Sequence, residues 1–374
     1  MPYKNLLKPS LNWLLIFIPF ALAMEHLVPD KPVLIFLSAA LALVPIASLI
    51  VKATEQVALR TGDAIGGLLN ATFGNAPELI ICFVALRSGF PDMVRASLVG
   101  AILANLLLGL GLAFFLGGLR YHIQEFNPRA AGMQASMMMI AVISMLVPGS
   151  YHILVTNQAI RYEHYLNIGI AVVLLVSYAL SLFFMIRTHP DIFASEQHDE
   201  SGKEHQWGIG KAVALLVVAS VLAAWMSEIL VGAVESASEG LGISKTFIGL
   251  VVLAVVGGAA ELGSAVMMGR KNRMDLAIGI AFGSSVQIAL FVAPLLVLLS
   301  LFAAPVPFVL AFKRGEIILV FMALLITTFV ASRGRTNWYK GIQLLTVYLT
   351  IIRDFIFPYP RKIIINYKIL KDIF

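Results

Sequence analysis

Two glutamates, Glu78 and Glu261, sit inside long apolar stretches of the chain. Each follows a glycine-containing run: Gly74-Asn75-Ala76-Pro77-Glu78 and Gly257-Gly258-Ala259-Ala260-Glu261. An ionised carboxylate at membrane depth costs about 2.5–3.5 kcal/mol even on the most lenient scale. Two of them in matching surroundings point to a buried cation site shared by two halves of one protein. Glycine weakens the helix before each glutamate, and Pro77 lacks a backbone donor and frees a carbonyl. Freed carbonyls can coordinate a cation where they line a cavity. Two carboxylates with several carbonyls make a hard, all-oxygen site that suits calcium, which takes about 6–8 oxygens in irregular geometry. Copper and zinc fit badly, because neither motif carries a Cys or His.

Charge balance extends the chemistry. One divalent ion neutralises two carboxylates, and so do two protons. A site that crosses only when neutral exchanges the ion for protons, and buried neighbouring carboxylates that lack the ion prefer protons. Ca2+ and H+ are therefore the expected substrates. The polar groups placed to support the glutamates are Thr72, Asn75, Asn105, Ser284, Ser285 and Gln287, each equally suited to hydrogen-bond one helix to another. Gly74 and Gly257 mark the two helix weaknesses. Glu235 and Glu239 precede the second motif and fit either an acidic entrance or a solvated loop. The methionines Met133, Met137, Met138, Met139 and Met145 read as packing.

The elements that must position these residues are membrane helices. The composition is 59% hydrophobic and 13% charged, against roughly 25% charged in soluble domains. The net charge of +6 fits loops facing a cytoplasm and anionic lipid. Nucleic acid is a poor second reading of that charge and is not expected as a partner, since the basic residues form no single dense stripe. Cys82 is the only cysteine, so no intrachain disulfide forms. The stretch 11–27 lacks a clear small-residue cleavage site and reads as the first span, not as a signal peptide.

Apolar segments of spanning length fall near 11–27, 32–51, 64–87, 94–119, 129–149, 163–186, 209–230, 244–269, 274–300, 307–332 and 338–352, about eleven helices. With the N-terminus in the cytoplasm, about fifteen loop Lys and Arg face inward and seven outward, as the positive-inside rule requires. The basic tail 353–374 breaks this pattern. The polar segment 187–207 divides the chain and reads as a flexible cytoplasmic linker. Shifting the chain by 183 residues superposes the two motifs without a gap, with about ten identities, among them Gly66/Gly249, Gly74/Gly257, Glu78/Glu261, Asp92/Asp275 and Gly100/Gly283. An odd number of crossings separates the copies, so the repeat is inverted, and inverted repeats place substrate at the midplane. The expected organisation is a leading helix in 1–31, a first repeat in 32–186, the linker, and a second repeat in 208–352.

At these residues the chain resembles the cation/proton exchanger branch of the calcium/cation antiporter superfamily. The match is carried by Gly66-Gly67-Leu68-Leu69-Asn70-Ala71-Thr72-Phe73-Gly74-Asn75-Ala76-Pro77-Glu78-Leu79 and by Gly283-Ser284-Ser285-Val286-Gln287-Ile288-Ala289-Leu290-Phe291. The resemblance implies an all-α membrane protein with one leading helix and two inverted five-helix units. It implies proton-driven calcium export or sequestration, with Glu78 and Glu261 binding ion and proton alternately and Asn75 and Gln287 assisting. No resident cofactor is implied. A bacterial-type plasma membrane is the expected location, a vacuolar-type membrane is the alternative, and a homo-oligomer is left open. The family usually has Asn at Gly258, His at Leu262, and Ser at Ala101 and Ala104, so the second motif is poorer in side-chain polarity. A sodium- or potassium-coupled exchanger and a non-transporting sensor or scaffold are the competing functions. An enzyme is not expected, because the spans show no nucleophile–His–Asp arrangement.

Overall fold

The computed structural model describes residues 11–61, 66, 69, 72–154, 160–189 and 207–356. Helices dominate. A short 3₁₀ stretch, Leu11–Ile16, leads into α1 (Phe17–Leu27), followed by α2 (Pro32–Thr61), α3 (Ala76–Arg87), α4 (Pro91–Tyr121), α5 (Pro128–Leu154) and α6 (Ile160–Phe183). After the linker come α7 (Ile209–Leu241), α8 (Lys245–Gly257), α9 (Ala259–Arg270), α10 (Met274–Ala303), α11 (Arg314–Ala331) and α12 (Trp338–Ile356). Seven of these helices are long and apolar enough to cross a bilayer, or eight if α8 and α9 form one bent span, among the described residues.

The 183-residue offset reappears in the helix boundaries. α3 maps residue for residue onto α9, and the turn at Gly74–Asn75 maps onto the break at Gly257–Gly258. α4 contains a π-helical turn at Ala104–Gly109, and α10 contains one at Ile288–Val292, again at matching positions. The two halves interlock. α2 packs along α7, α3 packs on α7, and α9 packs on α2, so each glutamate-bearing half-helix rests on the long helix of the other half. Glycines set the closest approaches between halves. A methyl at Gly100 would stand 1.9 Å from the Leu250 carbonyl oxygen, and one at Gly249 would stand 2.4 Å from that of Met93.

Several boundaries differ from the hydropathy pattern. α2 continues past Lys52 to Thr61 because Lys52-Ala53-Thr54-Glu55-Gln56 contains no helix breaker; apolarity ends there, but helix propensity does not. α7 likewise runs to Leu241 and stops at Gly242, which adopts a left-handed φ of 66°. Glu235 and Glu239 therefore lie on a helix and not in a loop, both exposed, with Glu235 paired to Lys245. α12 carries on through Arg353. The segment expected as a helix from 307 is non-helical up to Lys313. Pro305 and Pro307 disfavour helix there, and α11 begins where the Lys313 N–H donates to Glu316 Oε2 at 3.0 Å. Its backbone is held from elsewhere: Asn167 donates to the Phe308 carbonyl and accepts from Leu310 N–H, both at 2.9 Å, and Arg95 donates to the Val309 carbonyl at 3.0 Å. One small β-bridge interrupts the all-helical pattern, pairing Gln124–Glu125 with Arg335–Thr336.

Pro77 is not an internal helix breaker. It lies in the first turn of α3, where its missing N–H has no intrahelical partner to lose; the break itself falls at Gly74–Asn75. Most of the polar linker (190–206), Ile65 and Ala71 of the repeat, and the tail from 357 lie outside the described residues.

Candidate functional site

Glu78 and Glu261 each occupy the first turn of a half-helix, α3 and α9. This end of a helix carries free N–H groups and the positive end of the macrodipole, which favours a carboxylate. The chain bends by 60° at the α8–α9 break, so the carbonyls ending α8 and the amides opening α9 meet in the protein interior. Glu78 reaches across to this break. A Cβ built on Gly257 would lie 3.0 Å from Glu78 Cγ, and one on Gly258 would lie 3.4 Å from Glu78 Oε1. Gly258 also opens the half-helix that carries Glu261, so the two glutamates flank the same break. Both side chains are buried, at 4% and 9% exposure. Glu78 Oε1 and Oε2 and Glu261 Oε2 hydrogen-bond to no other described residue. A buried carboxylate oxygen without a partner is costly, and these three belong to the two groups nominated for ion binding.

A polar cluster lies beside the pair. Asn105 Nδ2 donates to Ser284 Oγ at 3.0 Å, Ser284 Oγ donates to Asn75 Oδ1 at 2.8 Å, and Asn75 Nδ2 donates to Gln287 Oε1. The chain of bonds runs between the halves, joining the Gly74–Asn75 turn and the π-turn of α4 to α10. It brings together four of the six supporting residues expected from the sequence. Ser285 does not join them, because its hydroxyl donates to the Ala281 carbonyl of its own helix at 2.8 Å. Thr72 is helical and lies two residues before the Gly74–Asn75 turn.

A cavity of about 490 Å³ leads to this centre. Glu261, Gly74, Asn75, Ser284 and Gln287 line it, and so do Asn127 and Asp275, which lie next to helix starts. Glu261 faces the cavity, whereas Glu78 lies behind, against Gly257 and Gly258. The wall also contains Glu55, Gln134 and Ser264, which sequence reasoning missed. Ser264 lies one helical turn after Glu261, a spacing that could have revealed it. Glu55 was hidden by ending α2 too early. Among the described residues no group of three or more His, Cys, Asp or Glu side chains could hold a metal. The oxygens available around the two glutamates are carboxylates, amides, hydroxyls and carbonyls, a donor set whose chemistry suits a hard cation and not a softer metal.

Broken helices, paired carboxylates at the break and an internal repeat define a membrane ion transporter. The sodium/calcium exchanger protein family matches residues 31–187 and 211–356, and the chain belongs to that family. A Ca(2+)/H(+) antiporter of Aphanothece halophytica is 40% identical over 92% of this chain and 95% of its own length. The Ca(2+)/H(+) antiporter ChaA of Bacillus subtilis is 39% identical over 84% of this chain and 89% of its own. Among solved structures, native YfkE superposes with a TM-score of 0.79 at 35% identity, covering 93% of this chain and 99% of that one. The H+/Ca2+ exchanger CAX shares the fold at a TM-score of 0.68 and 14% identity, covering 91% of this chain and 86% of that one.

Proposed function

We propose that Glu78 and Glu261 form the exchange centre of a calcium/proton antiporter, binding Ca2+ and protons in alternation where two inverted units, residues 32–186 and 208–352, meet. The chain is a multi-pass membrane protein that exchanges Ca2+ for H+, as its antiporter relatives and the match to YfkE support. The observation that carries the site is the burial of two carboxylates whose oxygens find no other partner among the described residues.

Ca2+ enters the cavity past Asp275 and Glu55 and meets Glu261 first. It then draws in Glu78, displacing the protons both carboxyls hold in its absence. Asn75 and Gln287 contribute amide oxygens, and the carbonyls ending α8 complete the shell. The neutralised centre lets the grouped helices rock to the opposite face. There protons displace Ca2+, and the protonated centre returns. We place the N-terminus in the cytoplasm. The cavity mouth near Asn127 and Asp275 then faces the cytoplasm, among Arg129, Arg270, Lys271 and Arg273. A bacterial-type plasma membrane is the proposed location.

The test is calcium uptake into proteoliposomes driven by an imposed pH gradient. Uptake should appear with the gradient, vanish when a protonophore collapses it, and vanish in Glu261→Gln. Uptake driven equally by a sodium gradient would favour the sodium-coupled alternative.

A further inference from the structure

The internal repeat gives every site residue a mirror position. At an offset of 183, Asn75, Ser284 and Gln287 correspond to Gly258, Ala101 and Ala104. The first set is hydrogen-bonded together and lines the cavity with Glu261. The second set has no polar side-chain atom at all, and both alanines are buried, at 3% and 1% exposure. All three polar positions are lost together, and the repeat assigns all three to the half that faces Glu78; of them Gly258 stands directly against it. A Cβ at Gly258 would face Glu78 Oε1 at 3.4 Å and Asn105 Oδ1 at 3.9 Å. Asn105 thus supplies a neutral side-chain oxygen near Glu78, against three that share the cavity wall with Glu261.

We propose that Gly258, Ala101 and Ala104 are specificity-determining positions: they leave the Glu78 half of the centre so poor in neutral oxygens that the transported cation keeps part of its water shell there. This inference rests on the exchange centre proposed above. Ca2+ prefers about 6–8 oxygens, whereas Mg2+ keeps several waters and binds through one or two carboxylates. Each protein oxygen missing from the Glu78 half therefore penalises Ca2+ more than Mg2+. The wild-type protein discriminates weakly between the two ions, and Mg2+ competes with Ca2+.

Two sets of variants test this in opposite directions. Gly258→Asn/Ala101→Ser restores oxygens to the Glu78 half; the new Cβ at Gly258 meets Glu78 at ordinary contact distance, although the Ala254 carbonyl, at 3.1 Å, must yield slightly. Gln287→Ala strips the Glu261 half and covers the case in which the restored protein fails to fold. The readouts are Mg2+ inhibition of pH-driven 45Ca2+ uptake and, independently of transport, thermal stabilisation of detergent-solubilised protein by Ca2+ or Mg2+. The restored variant should raise the Ca2+:Mg2+ preference about tenfold, and Gln287→Ala should lower it severalfold. An unchanged preference in the folded variants, or strong rejection of Mg2+ by the wild type, overturns the inference. Absence of pH-driven calcium uptake by the wild type would instead sink the exchange reading, leaving the thermal measurement to judge selectivity alone.

Discussion

Replacing Glu78 by Gln distinguishes a carboxylate that braces helices from one that serves a transported ion. Glu78 is 4% exposed, and neither of its oxygens bonds to another described residue. Gln replaces the protonated, calcium-free carboxyl without breaking a protein contact. In calcium-free detergent the variant should therefore unfold at the wild-type temperature or above. Bound calcium reverses the comparison. Removing one partner from a buried ion pair costs about 3–5 kcal/mol, which is roughly 10²–10⁴-fold in affinity at about 1.4 kcal/mol per decade. At a Ca2+ concentration about 100 times the wild-type Kd, binding stabilises the wild type by about 2.7 kcal/mol; a variant weakened 100-fold gains only about 0.4 kcal/mol. A calcium titration followed by thermal unfolding reads this difference directly, and pH-driven uptake at the same concentration should fall to background. Early unfolding of Glu78→Gln without calcium, or full stabilisation with it, would refute the reasoning.

Three further outcomes are expected. Gly100→Ala places a methyl 1.9 Å from the Leu250 carbonyl oxygen. Reaching ordinary contact at 3.4 Å requires roughly 3.4 − 1.9 = 1.5 Å of helix displacement, so the variant should lose at least ~1–3 kcal/mol, seen as a lower unfolding temperature and a poor yield of monodisperse protein. Asn167→Ala leaves the Phe308 carbonyl and the Leu310 N–H without their shared partner; at ~1–3 kcal/mol for each buried group, thermal unfolding should shift down markedly, and an unchanged midpoint would contradict the assigned bonds. Glu55→Gln removes a carboxylate from the cavity wall that Glu261 shares, so the KM for Ca2+ should rise a fewfold at low salt with the maximal rate preserved. That difference should shrink above about 0.1 M salt, where the screening length is about 10 Å.

The membrane class, the two glutamates and the repeat were legible in the sequence because each has a local signature. A carboxylate in an apolar stretch, glycine shortly before it and a fixed offset between copies need no knowledge of what lies nearby. Helix ends were less legible, because hydropathy reports where lipid stops and not where hydrogen bonding stops; α2 and α7 both outlast their apolar stretches. Residues 304–313 carry an apolar run that their prolines and the side chains of Asn167 and Arg95 keep out of a helix.

Thus the sequence alone pointed to two acidic segments in lipid-spanning stretches, related by a repeat, since a charge buried in lipid is costly and calls for a partner or a role. Tertiary structure alone decided how the residues share the centre. It placed Glu261 on the cavity and Glu78 behind it, recruited Asn75, Ser284, Gln287 and Asn105 into one chain of hydrogen bonds, spent Ser285 on its own helix, and brought Glu55 in from a helix end. These outcomes depend on which side chains from distant segments reach the same few ångströms, and close glycine-mediated packing between the halves fixes that.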